Sequence, residues 1–300
     1  MSVVPEKKGV RPSRGELRVV RSARRRSLTC RPHESIRSLK TTGRRREREP
    51  LALRINTYVI NLDRSPERWN ALSAGAARCG LTLIRVPAVD GKSVPEAERT
   101  LLDVEGFRRD HGKVPMAGEY GCYASHVLAI QRFIDDDADL GLILEDDTVP
   151  RPDILEALHS IAAVDDWDMA KLKNNRMAGF RADRPIAGGR MLGRAPFGPT
   201  GSSAAYLLNR TGAARLLAGL SPMRVPYDIA FERGWAMDLR VRHVTPDLVG
   251  INPQTKKSLT RENVRYEEMK LPTRQRLTTL AFRTRDAAQR LAYAMRGGRA

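Results

Sequence analysis

The chain has little cysteine, few aromatics and no long apolar run. Its three cysteines, Cys30, Cys79 and Cys122, are odd in number and far apart, with no CxxC pair. That usage indicates neither a disulfide framework nor a zinc site, and it suits a reducing compartment. No window approaches the roughly 18 apolar residues of a membrane-spanning helix. The basic N-terminal stretch is not followed by the apolar segment of a secretory signal. Aromatics make up 5% of the residues and rarely interleave with the basic runs, which argues against stacking on nucleic-acid bases.

Acidic residues are scarce at the two ends. The formal net charge is +18 over 300 residues. Residues 1–54 carry roughly +12, residues 256–300 roughly +8, and the body between them roughly −2. The excess therefore belongs to the ends, and a nucleic-acid groove built into the fold is not expected. This predicts three parts: a disordered basic arm over 1–54, a globular domain over 55–255, and a basic C-terminal tail over 256–300. Within that tail, residues 272–296 read as an amphipathic helix. Leu277, Leu280, Ala281, Ala288, Leu291, Ala292 and Met295 form one stripe, and most arginines fall off it. Such a helix either lies on an anionic bilayer or packs on the domain with a solvated basic back.

The body reads as an α/β fold with a mostly parallel sheet. Residues 57–62 form an apolar strand, followed by Ser65 as a helix N-cap with Pro66 at the first helical position. Trp69, Leu72, Ala76 and Cys79 recur at helical spacing until Gly80, and residues 81–86 form a second strand. Strand–helix–strand order of this kind opens a parallel sheet. Residues 92–117 and 173–200 read as loops. A helix is expected over 119–135, with Cys122, Leu128, Ile130 and Ile134 as packing residues, and others over 152–163, 211–220 and 227–235. The run 140–144 is apolar on both faces, as a central parallel strand requires. Further strands are expected over 167–172, 203–208 and, last, 239–244.

Three places carry chemistry. Glu145, Asp146 and Asp147 follow that central strand, beyond whose carboxyl end ligands bind in open α/β sheets. Three adjacent carboxylates repel unless a cation such as Mg²⁺ or Mn²⁺ neutralises them, and such cations usually bridge to substrate phosphates. The bland reading is a solvated acidic turn. The segment GEYGCYASH, residues 118–126, sets Glu119 between two glycines at a helix start, where backbone N–H groups favour an anion. His126 lies farther along, either as a ligand contact or as a satisfied structural histidine. Asp228 stands where a general base could take an acceptor proton, with Glu232 as the rival, although from local sequence alone an N-cap role fits Asp228 better.

Taken together, TYVINLDRSPERW, VPAVDG, GEYGCYASH and LGLILEDD occur in an order and spacing that resemble glycosyltransferase family 25. That family includes bacterial lipooligosaccharide galactosyltransferases and collagen galactosyltransferase domains. The resemblance spans roughly residues 55–255 and implies a GT-A-like nucleotide-diphospho-sugar transferase fold. It implies a UDP-sugar donor, often UDP-galactose, and inverting transfer of a hexose to a saccharide acceptor. Glu145, Asp146 and Asp147 would act as the metal-binding acidic motif, holding Mn²⁺ or Mg²⁺. Asn61, Asp63, Arg64, Asp90 and Gly91 would lie near the nucleotide, and Glu119, Ser125 and His126 would bind or position the donor. Gln254 is aligned with a glutamine that follows the last strand in the family. The glycine–tyrosine strand is looser here, reading Gly201-Ser202-Ser203-Ala204-Ala205-Tyr206. The expected setting is cytoplasmic, peripheral on the inner membrane, with a lipid-linked envelope saccharide as acceptor. The alternative is a catalytically silent relative that binds a nucleotide-sugar or glycan.

Overall fold

A computed structural model describes residues 53–253 and 269–298, so Gln254 and nearly all of the basic arm lie outside the described residues. The chain divides into two units, 1–50 and 51–300, and every described residue belongs to the second.

Strand β1 (Ile55–Asn61) leads through α1 (Pro66–Arg78) to β2 (Leu83–Pro87). Pro66 opens α1, and Gly80, at φ 71°, lets the chain turn back. Next come α2 (Val104–His111), α3 (Ala117–Asp135), β3 (Leu140–Glu145), β4 (Thr148–Pro150) and α4 (Ile154–Ala162). After β5 (Met169–Lys171), a hairpin of β6 (Arg181–Ile186) and β7 (Arg190–Arg194) precedes β8 (Ala205–Asn209). The remainder is α5 (Arg210–Gly219), α6 (Tyr227–Ala230), β9 (Val241–Thr245), β10 (Val249–Ile251) and α7 (Leu277–Met295).

Eight strands form one sheet in the order β2-β1-β3-β8-β5-β9-β7-β6. Their pairings make six strands run one way, with β8 and β7 reversed, so the sheet is mostly parallel. Strand β3 is buried on both faces, as its unbroken apolar run requires. Alternate residues feed two cores. Tyr58, Ile143 and Tyr206 pack with Phe133 and Tyr123 of α3, while Val59, Leu144 and Leu207 pack with Leu72 of α1 and Leu158 of α4. The carboxyl ends of β1, β2, β3 and β5 share one edge. The reversed β8 starts at that edge, since Leu144 faces Ala205 and Lys171 faces Tyr206.

The structure departs from the sequence reading in several places, and the helix expected over 227–235 is shortened to α6. Within 92–117, α2 forms because Asp103 accepts from Gly106 N and Gly112 ends the helix at φ 76°. Within 173–200, the β6–β7 hairpin forms at the sheet edge, where polar and charged side chains are tolerated. Leu128 of α3 is 46% exposed and does not pack. Strand β9 is not the last, because β10 pairs antiparallel with β4.

The largest correction concerns α7. The helix does pack on the domain, but through its polar and aromatic side. Thr279, Asp286, Arg290, Tyr293 and Ala294 are buried, and the apolar stripe faces outward. Tyr293 Oη donates to Leu239 O at 2.6 Å, and Arg233 Nε donates to Asp286 at 2.7 Å. Specific hydrogen bonds, rather than the apolar stripe, decide which face packs on the domain.

Candidate active site

Five segments meet at the carboxyl edge of the sheet: the turns after β1, β2, β3 and β5, and the approach to β8. Two cavities open between them. The first, about 300 Å³, is lined by Arg64, Arg68, Asp90, Gly91, Ser125 and His126 among others. The second, about 330 Å³, is lined by Glu119, Asn175, Ser202, Ser203, Tyr227 and Asp228 among others. Glu145, Asp147, Cys122 and Ile251 belong to both walls.

The three carboxylates of the triplet are not equivalent. Glu145 Oε1 accepts from Ser203 Oγ at 2.6 Å and lies 3.3 Å from His126 Nε2. Burial pushes its carboxyl up, but the His126 and Ser203 contacts and the Arg68 charge outweigh it, so it stays below the ordinary value. Asp146 accepts from Asn61 Nδ2 at 2.8 Å and from Arg68 Nη1 at 3.1 Å. Burial nevertheless leaves it raised. Asp147 has a buried Oδ1 with no hydrogen-bond partner among the described residues. Burial, then the charges of Glu145 and Asp146, push it up to about 7. A buried, unpaired carboxylate oxygen beside two more carboxylates is a place a hard cation would stabilise.

His126 is the centre of a buried chain. Its Nδ1 lies 3.0 Å from Tyr206 Oη, which lies 2.9 Å from Tyr227 Oη, and its ring stacks on Tyr227 at 4.0 Å. Burial raises both tyrosine hydroxyls, so they stay protonated. One hydrogen-bond order gives every member a partner: Tyr227 donates to Tyr206, Tyr206 to Nδ1, and Nε2 to Glu145. His126 is thus a satisfied histidine that also orients a carboxylate of the triplet. One of its ring nitrogens, Cys122 Sγ and a Glu145 carboxylate oxygen lie within 4.8 Å of one another, a second possible metal cluster. The ordinary hydrogen bonds of His126 and Glu145 account for that closeness.

The other sequence candidates divide. Arg64 and Asp90 pair with each other on the first cavity wall. Gly91 and Gly121 let the turn touch the start of α3; a Cβ on Gly91 would sit 1.8 Å from Ala117 O. Ser125 Oγ accepts from Val89 N at 2.8 Å, so it holds that turn. Asn61 is buried behind the cavity and acts on Asp146. Asp63 points away, with its side chain 82% exposed and paired with Arg85. Glu119 lines the second cavity rather than the first, and its Oε2 accepts from Met116 N at 3.0 Å as a helix-start cap.

Of the two candidate bases, Asp228 is half-buried on the second cavity wall, whereas Glu232 lines neither cavity. Glu232 is sealed at 1% exposure and pairs with Lys171 and with Arg290 of α7. It also accepts from Thr200 N at 2.9 Å and Gly201 N at 3.1 Å. Burial alone would raise it, but the Lys171 and Arg290 charges hold it down at about 2. Glu232 therefore ties the approach to β8 to the C-terminal helix and is sealed off from both cavities. Sequence reasoning also missed Arg68 and Ser203 as site residues. Arg68 was legible, since it lies inside the TYVINLDRSPERW segment. Ser203 was not, because its partner is 58 residues away.

A mostly parallel α/β sheet with a carboxylate cluster at its carboxyl edge, between two cavities, defines a ligand-binding α/β domain. Residues 54–185 match the family model of glycosyltransferase family 25 (LPS biosynthesis protein). A glycosyltransferase 25 family member of Aedes aegypti is 29% identical over 128 residues, covering 40% of this chain and 21% of the relative. Procollagen galactosyltransferase 2 of Homo sapiens is 30% identical over 94 residues, covering 30% of this chain and 15% of the relative. The chain thus spans well under a third of the length of these curated relatives. Among solved structures, the galactosyltransferase LgtC in complex with donor and acceptor sugar analogs aligns with a TM-score of 0.33 at 13% identity, over 63% of this chain and 72% of that one.

Proposed function

We propose that the protein transfers a hexose from a UDP-sugar to a saccharide hydroxyl, with inversion at the sugar carbon. The observation that carries this reading is the orphaned Asp147 oxygen where the two cavities join. The donor nucleotide occupies the first cavity, where Arg64 and Arg68 supply positive charge beside the turn at Asp90 and Gly91. The acceptor occupies the second. Asp147, with Glu145 beside it, would hold Mn²⁺ or Mg²⁺. Such a cation would neutralise charge on a departing diphosphate. Asn61 and Arg68 fix Asp146, and His126 and Ser203 fix Glu145, so the carboxylates are preorganised. Asp228 takes the proton of the acceptor hydroxyl as its oxygen bonds to the sugar carbon and the sugar–phosphate bond breaks on the opposite face.

Galactose is the favoured hexose because a relative is named for galactosyl transfer. The description of the family model favours an envelope glycan as acceptor. No described helix is long and apolar enough to cross a membrane. The test is release of UDP from UDP-galactose with Mn²⁺ and a panel of saccharide acceptors. Asp228→Asn is expected to lower kcat by about 10²–10⁴ with little change in donor KM. UDP binding with no acceptor-dependent release would leave only a silent binder.

A further inference from the structure

Helix α7 presents its apolar stripe to the outside. Leu277 is 70% exposed, Leu280 63%, Leu291 41% and Met295 56%, and Ala281, Ala288 and Ala292 between them are exposed as well. Exposed arginines 274, 285 and 296 lie along this helix or just beyond its ends. At its N-terminal end opens a pocket of about 340 Å³, lined by Lys113, Lys270, Arg276 and Arg283 together with Leu277 and Leu280. No carboxylate stands in that wall among the described residues. The buried side of α7 fixes this orientation through Arg290 to Glu232, Asp286 to Arg233, and Tyr293 to Leu239. The stripe is therefore held outward by bonds that turning the helix would break.

We propose that the outward face of α7 docks on an anionic phospholipid surface, with the basic pocket at its start receiving a lipid headgroup phosphate. Apolar side chains at the centre and cations around them match the acyl boundary and the headgroups of such a surface. A second copy of this chain would bring the same basic rim against itself. This docking deepens the reading that the acceptor is lipid-linked, but the binding itself does not depend on any sugar being transferred.

The experiment uses the full chain and co-sedimentation with vesicles of equal parts phosphatidylglycerol and phosphatidylcholine, against phosphatidylcholine alone. The wild type is expected to bind the mixed vesicles, to release in high salt, and to ignore phosphatidylcholine. Leu280→Glu with Leu291→Glu is expected to weaken binding by about tenfold or more. Arg276→Gln with Arg283→Gln is expected to weaken it by about fivefold per charge removed. The leucine variants should share the wild-type melting temperature, because Leu280 and Leu291 are solvent-facing. Equal binding to both vesicle types, unchanged binding by the variants, or no binding by the wild type would each overturn the proposal. So would a dimer in analytical ultracentrifugation that Leu280→Glu dissolves, since that would assign the stripe to a second copy.

Discussion

Asp146 and Asp147 are neighbours in sequence yet sit in opposite surroundings. Asp146 is held by Asn61 and Arg68, whereas Asp147 keeps a buried oxygen without a partner. The two should therefore respond differently to amidation. Asp147→Asn is expected to cut transfer by about 10²–10³, the scale of losing an electrostatic stabiliser of a leaving group. It should leave the metal-free melting temperature unchanged or higher, because it relieves charge repulsion. Asp146→Asn should lower that temperature by weakening the link to Arg68. Calorimetry of both variants in EDTA distinguishes them. The sequence made the triplet visible but not this division of labour, because Asn61 and Arg68 are 85 and 78 residues away from Asp146. His126 shows the same limit. Its position two turns into a helix was legible, but its contact with Tyr206, 80 residues on, was not.

Elements were legible where one local signal dominated. Strand β3 followed from an apolar run, and α1 from Pro66 and its helical spacing. Helix α2 was hidden because only Phe107 among its side chains is a large buried apolar group. Helix α7 was found but its packed face was left open, because a stripe of leucines says nothing about Arg290 reaching Glu232. That contact carries a stability prediction. Glu232→Ala would leave the Lys171 ammonium buried and unpaired, and is expected to cost about 3–5 kcal/mol. The paired change Glu232→Leu with Lys171→Met should cost less, since of the three buried charges only Arg290 is then left without a partner. Urea unfolding of the two variants checks this. If Glu232 were instead the catalytic base, the paired variant would fold well and show no transfer even with Asp228 intact. The structural role predicts that transfer survives in proportion to folding.

Across the whole molecule, acid stability should follow two buried histidines. His111 is pushed down to about 3 by burial, with the Lys113 and Arg283 charges adding to the shift. His243 is pushed down to about 3 by burial and by the Lys171 charge, against the opposing Glu232 charge. Between pH about 6.5 and about 3 the unfolded chain therefore binds protons that the folded chain refuses, and stability falls as pH falls through that window. Each histidine contributes a slope of up to about 1.4 kcal/mol per pH unit. Asp147, raised to about 7, takes up its proton in the folded state and pulls the opposite way over part of the same range. The histidine slope should consequently appear in full in Asp147→Asn, and His243→Gln in that background should remove about half of it. Urea midpoints from pH 7 to pH 4 measure this.

The account depends on Asp147 meeting a donor diphosphate through a divalent cation between the two cavities. Isothermal titration of UDP into the wild type and Asp147→Asn, each with Mn²⁺ and with EDTA, tests this directly. The account predicts binding by the wild type only with Mn²⁺, weakened by about tenfold or more in Asp147→Asn. Equal UDP affinity in EDTA and in Mn²⁺, unchanged by the substitution, would contradict it.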